Sequence, residues 1–438
     1  MFSDSTFSDV VGKKLLILGA SSDECHIIQA AKEMGVFTIT TDYYDRESSL
    51  SIGKKLSDEA WDISWKNIQE LKEKAISKRI DGVIAGYSEF KIKCAIQLCK
   101  ELNLPFYIPD EEHLRITRDK LLFKSECRKY GLPVAKDYYV TSEMREEDLD
   151  RIQFPVIVKP ADNGGSNGIR FCRDRSEIVS CIEYALSYSE SSRVVVEEVL
   201  TGHEVVAYYT AADGEIAFSS MFDKYARIER EGFNALMNAY VYPANRLDYY
   251  LENYNDLVIN FLKGIGICNG VVGIQGFRKA DGSIVFFELG FRLGGTNDYH
   301  YTDYFNNVSK MKMLISYSLT GNMHKEELVK EDPTFDGKHA CTFSLVSRDG
   351  TIGCQSGLEE VESLSNVLYA NYYHKVGDKI KNTGSQSSKS FRAYIVGNSF
   401  DEIHTTIRKI QKTVKVLDTD GRNMLLDDFD ATLINSNY

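Results

Sequence analysis

The chain has 438 residues, with 52 Lys plus Arg against 64 Asp plus Glu, for a formal charge of −12; 43% of its residues are hydrophobic and 26% charged. This is an ordinary globular composition with apolar material for several cores, which excludes a disordered chain. Net acidity weighs against a general nucleic-acid binder, which needs clustered Lys and Arg on phosphates, but it leaves room for a local cationic pocket around an anionic small molecule.

At roughly 150 residues per domain the length suggests two to four domains. Met1 to Val11 is rich in Ser and Asp, without the cationic start and apolar core of a signal peptide. No apolar run approaches the ~18 residues of a membrane span. The nine cysteines form no C-x-x-C pair and read as reduced thiols. A cytoplasmic location is the expectation.

Lys14 to Leu18 is an apolar run ending at Gly19 and reads as a buried strand. Ser22 is placed to cap a helix from Asp23 to Met34, with Ile27, Ile28, Ala31 and Met34 on one face and Gly35 closing it. Val36 to Thr41 reads as a strand, Asn67 to Arg79 as a helix, Gly82 to Ala85 as a strand and Glu89 to Leu102 as a helix. Such alternation predicts a parallel sheet covered on both faces. Gly19 and Asp42 invite a dinucleotide reading, but G-x-G-x-x-G keeps only its first glycine. Asp23 and Glu24 also stand where a pyrophosphate would need the helix N-terminus, so that reading is set aside.

No P-loop is present: Gly12-Lys13, Gly53-Lys54 and Gly337-Lys338 are followed by Lys14, Lys55 and His339. Four other segments each offer something a nucleoside triphosphate needs. Arg118-Asp119-Lys120 falls in a helix predicted to continue to Tyr130; alone it is a solvated charge cluster. Phe154 to Lys159 is a buried strand that aims an ammonium from a rigid element. The turn after it, from Asp162 to Gly168, is either a plain hairpin loop or a phosphate cradle of successive N–H groups. Arg193 to Leu200 is a strand running into Glu197 and Glu198, with Glu204 seven residues past Glu197. Apolar walls, a backbone edge and a carboxylate suit an adenosine, and a solvated edge strand is the plainer alternative.

The fourth segment is a hairpin, Gly270 to Arg278 and Ser283 to Leu289, predicted to turn at Asp281-Gly282. A two-residue turn there makes opposed residue numbers sum to 563, which sets Gln275 against Glu288 with Cβ atoms roughly 5 Å apart. Arg292 follows on the same face if the strand stays regular, together with Phe277, Phe286 and Ile284. Buried oxygens in that setting suit a divalent cation on phosphate, and a Glu–Arg ion pair with a bonded Gln is the alternative.

In this order the pieces resemble the ATP-grasp superfamily, specifically its carboxylate–amine ligases, and are similar to the ATP-grasp parts of biotin carboxylase, carbamoyl phosphate synthase and the D-alanine–D-alanine ligases. The resemblance covers nearly the whole chain. It implies a mixed α/β and α+β architecture: a Rossmann-like domain over 1–115, a two-lobed ATP-grasp over 116–330 with lobes near 116–195 and 196–330, and a closing α+β domain over 331–438. It implies ATP as cofactor, with Lys120 and Lys159 on its phosphates and Gly164, Gly165, Ser166 and Gly168 as a lid. Glu197 and the backbone of Glu198, Val199 and Leu200 would hold adenine, and Glu204 the ribose. Lys224 would be a further phosphate contact, followed by a substrate-covering stretch to Ala244. Gln275 and Glu288 would hold magnesium or manganese, and Arg292 would stabilise the transferring phosphoryl group.

Two departures stand out. Gln275 occupies a position where most relatives have an acid, and Glu288-Leu289-Gly290-Phe291-Arg292 has glycine where E-x-N-x-R has asparagine, leaving Asn297 or Asp298 as candidate substitutes. The implied reaction is ATP + carboxylate + amine → amide + ADP + phosphate, driven by positioning and charge neutralisation rather than by an enzyme nucleophile. The partners are then a small-molecule acid and amine, without nucleic acid or membrane; a homodimer is compatible with the family. Alternatives on the same fold are an ATP-dependent carboxylase or carbamoyl-type enzyme and a non-catalytic ATP sensor. His300 reads as a packing residue, and the helix after Ser399, Phe400 to Val414, as part of a closing domain without chemistry of its own.

Overall fold

The computed structural model describes residues 5–138, 146–163, 167–228, 235–381 and 388–434. Strands β1 (Lys14–Leu18), β2 (Phe37–Thr41), β3 (Glu59–Trp61) and β4 (Gly82–Ile84) form an all-parallel sheet of order β3-β2-β1-β4. Leu15, Leu16, Ile17 and Leu18 are fully buried, as consecutive residues must be when helices cover both faces.

The first of those helices, Ser22–Glu33, is capped by Ser21 rather than Ser22: the Glu24 carboxylate accepts from the Ser21 N–H at 2.9 Å and its hydroxyl at 2.6 Å. Lys91 Nζ pairs with Glu24 at 2.8 Å, and a Cβ added at Gly19 (φ +106°) would lie 2.2 Å from that nitrogen. Ammonium and carboxylate thus fill the space over the glycine turn that a pyrophosphate would require.

The next unit is a four-stranded antiparallel sheet, β5 (Asp137–Tyr138), β6 (Val156–Pro160), β7 (Arg170–Cys172) and β8 (Val194–Glu198), in the order β5-β8-β6-β7. Helix Ile178–Leu186 packs Ile182 and Ala185 onto Val156, Val158 and Val196 of this sheet. The helix expected to run through Arg118–Lys120 breaks there. Asp119 takes an extended conformation and its carboxylate accepts from the N–H groups of Leu121 and Leu122, so one helix ends at Arg118 and the next, Lys120–Lys129, begins. Lys120 is therefore a first-turn residue, and its N–H donates to Ala161 O at 2.9 Å, fastening it beside the loop that leaves β6.

The remaining strands are β9 (His203–Ala212), β10 (Glu215–Ile228), β11 (Ala235–Tyr242), β12 (Gly270–Arg278), β13 (Ile284–Gly290), β14 (His339–Val346), β15 (Gly350–Ser356), β16 (Val367–Tyr372), β17 (Lys379–Ile380), β18 (Lys389–Gly397) and β19 (Lys415–Asp418). Eight of them form one sheet, β13-β12-β9-β10-β11-β14-β18-β16, while β17-β15-β19 stand apart. Ala239–Tyr242 of β11 pair with Ala340–Phe343 of β14, so this sheet is continuous across residue 330. Helix Phe400–Thr413, capped by Ser399 at 3.3 Å from the Glu402 N–H, buries Ile403, Ile407 and Ile410 in a separate core with Phe343 and Ile395. Among the described residues, no helix is long and apolar enough to cross a membrane.

Candidate functional site

Lys159 near the end of β6 and Glu197 near the end of β8 lie on neighbouring antiparallel strands, and both are buried. The Glu197 carboxylate accepts from Lys159 on one oxygen and from Lys124 at 2.6 Å on the other. Burial alone would raise this carboxyl, but the Lys159 and Lys124 ammonium groups prevail and hold it below the usual carboxylate range. Lys124 was not singled out in the sequence, although it stands four residues after Lys120 on one helix, the spacing at which side chains share a face. Glu198 fixes the strand end: its N–H donates to Lys136 O at 2.9 Å and its carboxylate accepts from the Lys136 N–H at 2.7 Å. Val199 and Leu200 follow, half-buried and outside the strand.

In the hairpin, Gln275 and Glu288 are directly opposed. The turn is longer than the expected Asp281-Gly282 pair: Arg278 opposes Ile284, and the Gly282 N–H donates to Lys279 O at 3.0 Å. A β-bulge at Gln275/Gly276 restores the register at the site. It also turns Phe286 away from the face expected for it. Phe286 packs on Tyr254, with ring centroids 5.7 Å apart, and Phe287 takes its place beside Phe277 at 5.3 Å.

Lys120, Glu288 and Arg292 line one cleft of about 480 Å³, together with Glu89, Asp162, Asn163 and Asn167. Lys120 Nζ donates to Asn163 O. Burial, then the like charge of Lys159, lowers the Lys120 ammonium, while Glu288, Glu197 and Asp162 act against that. Arg292 Nε lies 3.7 Å from Glu89 Oε1. Burial raises the Glu89 carboxyl, with Arg292 opposing and Glu288 reinforcing the rise. Glu89 was missed because nothing in its sequence neighbourhood distinguishes it from a first-turn acid suited to a helix dipole.

On the sheet beside the cleft, Lys224 Nζ binds Glu204 and donates to Gln275 Oε1 at 2.8 Å, so these three residues form a chain that ends opposite Glu288. Asn297 and Asp298 are engaged elsewhere. Asn297 donates to Tyr394 OH at 2.7 Å, and fully buried Asp298 accepts from Lys310 at 2.6 Å and Ser220 at 2.8 Å. Gly168 adopts φ +76°, where a Cβ would lie 2.7 Å from Pro160 and Tyr188. Gly164, Gly165 and Ser166 lie outside the described residues.

The resemblance noted in the sequence implies a divalent cation, and the donors suit one. Glu288 offers a carboxylate and Gln275 an amide oxygen, the hard donors that Mg²⁺ takes alongside water and phosphate oxygens. Gly290 adds none.

Three comparisons bear on this cleft. Residues 127–310 match the family described as D-ala D-ala ligase C-terminus. The chain is 24% identical over 303 residues to a 2-oxoglutarate carboxylase small subunit of Hydrogenobacter thermophilus, covering 64% of this chain and 61% of that one. It is 22% identical to a dapdiamide A synthase of Enterobacter agglomerans, covering 83% of this chain and 87% of that one. The crystal structure of an L-amino acid ligase from Bacillus licheniformis superposes with a TM-score of 0.75 at 17% identity, over 93% of this chain and 99% of that one. The chain spans less than two thirds of the length of the first of these relatives. Over residues 127–310 the chain is similar to the D-ala D-ala ligase family, and its fold is that of the L-amino acid ligase and its structural neighbours.

Proposed function

We propose that the protein is an ATP-dependent carboxylate–amine ligase that works through an acyl phosphate. The observation that carries this reading is the convergence of Lys120, Glu288 and Arg292 on one cleft, with the Lys159–Glu197–Lys124 cluster in electrostatic contact with Lys120. A carboxylate is a poor electrophile; phosphorylation turns one of its oxygens into a leaving group that an amine can displace. That step asks for a positioned triphosphate and neutralised charge, which Lys120 and Arg292 provide in the cleft, with Lys159 close enough to act on Lys120.

In this reading Lys120 and Lys159 bind phosphate oxygens, and the segment Glu197 to Leu200 holds the base. Glu204 orients the ribose or, through Lys224, the phosphates, and Arg292 stabilises charge on the transferred group. Gly164, Gly165, Ser166 and Gly168 belong to the covering loop. Gln275 and Glu288 would hold Mg²⁺ or Mn²⁺, which supplies charge neutralisation on the phosphates when bound. The leading parallel sheet is then a Rossmann-like unit and the chain a cytoplasmic protein, in keeping with its nine free cysteines. The carboxylases among the similar proteins keep bicarbonate as an alternative acid. The test is an ADP-release screen of acids crossed with amines, bicarbonate included. Turnover is expected to need one acid and one amine and to fail in Lys159→Ala and Glu288→Ala; turnover that survives either substitution overturns the assignment.

A further inference from the structure

The large sheet carries a second cationic cluster that phosphoryl transfer does not use. Arg392 and Lys389, both on β18, are 1% and 9% exposed. Neither forms an ion pair with any carboxylate among the described residues. Arg392 Nη1 donates to Gly295 O at 2.6 Å and Nε to Ser344 Oγ at 3.3 Å, while Nη2 has no protein partner among the described residues. Lys389 and Arg392 share the ring of Tyr373, at 4.1 and 5.6 Å from its centroid. The surrounding wall is aromatic: Tyr240, Tyr394 and His300, the last with a buried Nε2 that has no hydrogen-bond partner among the described residues. Asp23 acts on Lys389 only from beyond ion-pair distance, and burying a guanidinium and an ammonium with no carboxylate among the described residues in direct contact is costly enough that an anion is the expected complement.

The position of the cluster links it to the cleft. Lys224 opposes Tyr240, Tyr240 opposes Thr342 and Thr342 opposes Tyr394, so their side chains share one face of the sheet, and Arg392, two residues from Tyr394, lies on it too. From β10 to β18 is three strand spacings, about 14 Å. Gly295, which Arg392 touches, is only three residues beyond Arg292, a reach of at most about 11 Å.

We propose that Arg392 and Lys389 form a subsite for a substrate carboxylate that is not phosphorylated, carried by an amino acid or by a dicarboxylic acid. This rests on the ligase reading for its place in a reaction, but not for its binding chemistry. The cluster offers a planar guanidinium beside an ammonium, donors whose geometry matches a carboxylate. Burial, with the Arg392 charge adding to it and the Asp23 carboxylate opposing, drives the Lys389 ammonium well below its ordinary range. An entering carboxylate restores that ammonium and draws a proton from solvent.

The test is equilibrium binding and thermal shift on the full chain with L-amino acids, dicarboxylates, the matching carboxamides and O-phospho-L-serine. Calorimetry is run in buffers of different ionisation enthalpy. At least one carboxylate is expected to bind with proton uptake, and its carboxamide roughly 10- to 150-fold more weakly. Arg392→Met and Lys389→Met should lose the same factor while ATP binding persists; Arg392→Lys serves if the methionine variant does not fold. Preference for amino acids or for dicarboxylates identifies the source of the carboxylate. Equal binding of acid and amide, unchanged affinity in both variants, preference for the phosphomonoester, or no carboxylate ligand for the wild type overturns the proposal. Failure of the wild type to bind ATP overturns the ligase reading instead.

Discussion

Replacing Glu197 with Gln removes the carboxylate that accepts from two buried ammonium groups while keeping the side chain's shape; Asp137, 3.8 Å from Lys124, remains. The Lys124 and Lys159 side chains are 2% and 9% exposed and that of Glu197 is 4%. Neutralising one member of such a buried cluster leaves uncompensated charge and costs about 3–5 kcal/mol; the amide keeps one acceptor, which favours the lower end. Because the chain has several cores, a single global unfolding energy is not well defined, so hydrogen exchange in Val156–Pro160 and Val194–Glu198 is the proper readout. The effect also depends on pH. The folded-state carboxyl lies below its unfolded value of about 4.3, so its contribution is fully present above that pH and is lost as pH falls through the folded value. The gap between wild type and Glu197→Gln should therefore close below pH ~4. A change under about 0.5 kcal/mol at neutral pH would refute the reasoning.

Two further outcomes are expected. Gln275→Glu gives the hairpin a second carboxylate facing Glu288, and should lower the half-saturating Mg²⁺ concentration for ADP release on the order of tenfold; an unchanged metal requirement contradicts the metal assignment. His26 and His300 are pushed down to about 4 and about 3, chiefly by burial, with Arg392 acting on both and His26 also on His300. Their unfolded values are near 6.5, so between there and the folded values the unfolded chain binds more protons, and stability falls as pH drops below ~6.5. Each histidine adds up to about 1.4 kcal/mol per pH unit, and a His26→Phe/His300→Phe variant should flatten denaturation midpoints over that range; parallel profiles would contradict it.

Where periodicity and turn chemistry are local, the residues announced the structure. Lys14–Leu18 and the capped helix after Ser399 follow from spacing alone, and the Gln275–Glu288 opposition was also anticipated. The opposition survived a wrong turn assignment because two departures cancel: the loop takes in residues 279–283 and the bulge at Gln275/Gly276 restores the register. That bulge depends on Phe286 docking against Tyr254 and on its N–H donating to Pro133 O, tertiary contacts without a local signal. Asp119 was legible as a helix cap but was taken for part of a continuous helix, which hid how Lys120 reaches the cleft. Arg392 lies in an otherwise apolar stretch from Phe391 to Val396, and a lone cation at a strand position facing a core is a signal that was not singled out in the sequence.

In the ligase reading the terminal phosphoryl group of ATP passes to a carboxylate oxygen. With an acid substrate labelled with ¹⁸O in its carboxylate, the acyl phosphate keeps one labelled oxygen as the bridge, and attack by the amine leaves that oxygen on phosphate. One ¹⁸O per turnover in the released inorganic phosphate, together with ADP, is the expected result. Unlabelled phosphate, or AMP and pyrophosphate as products, would contradict the account.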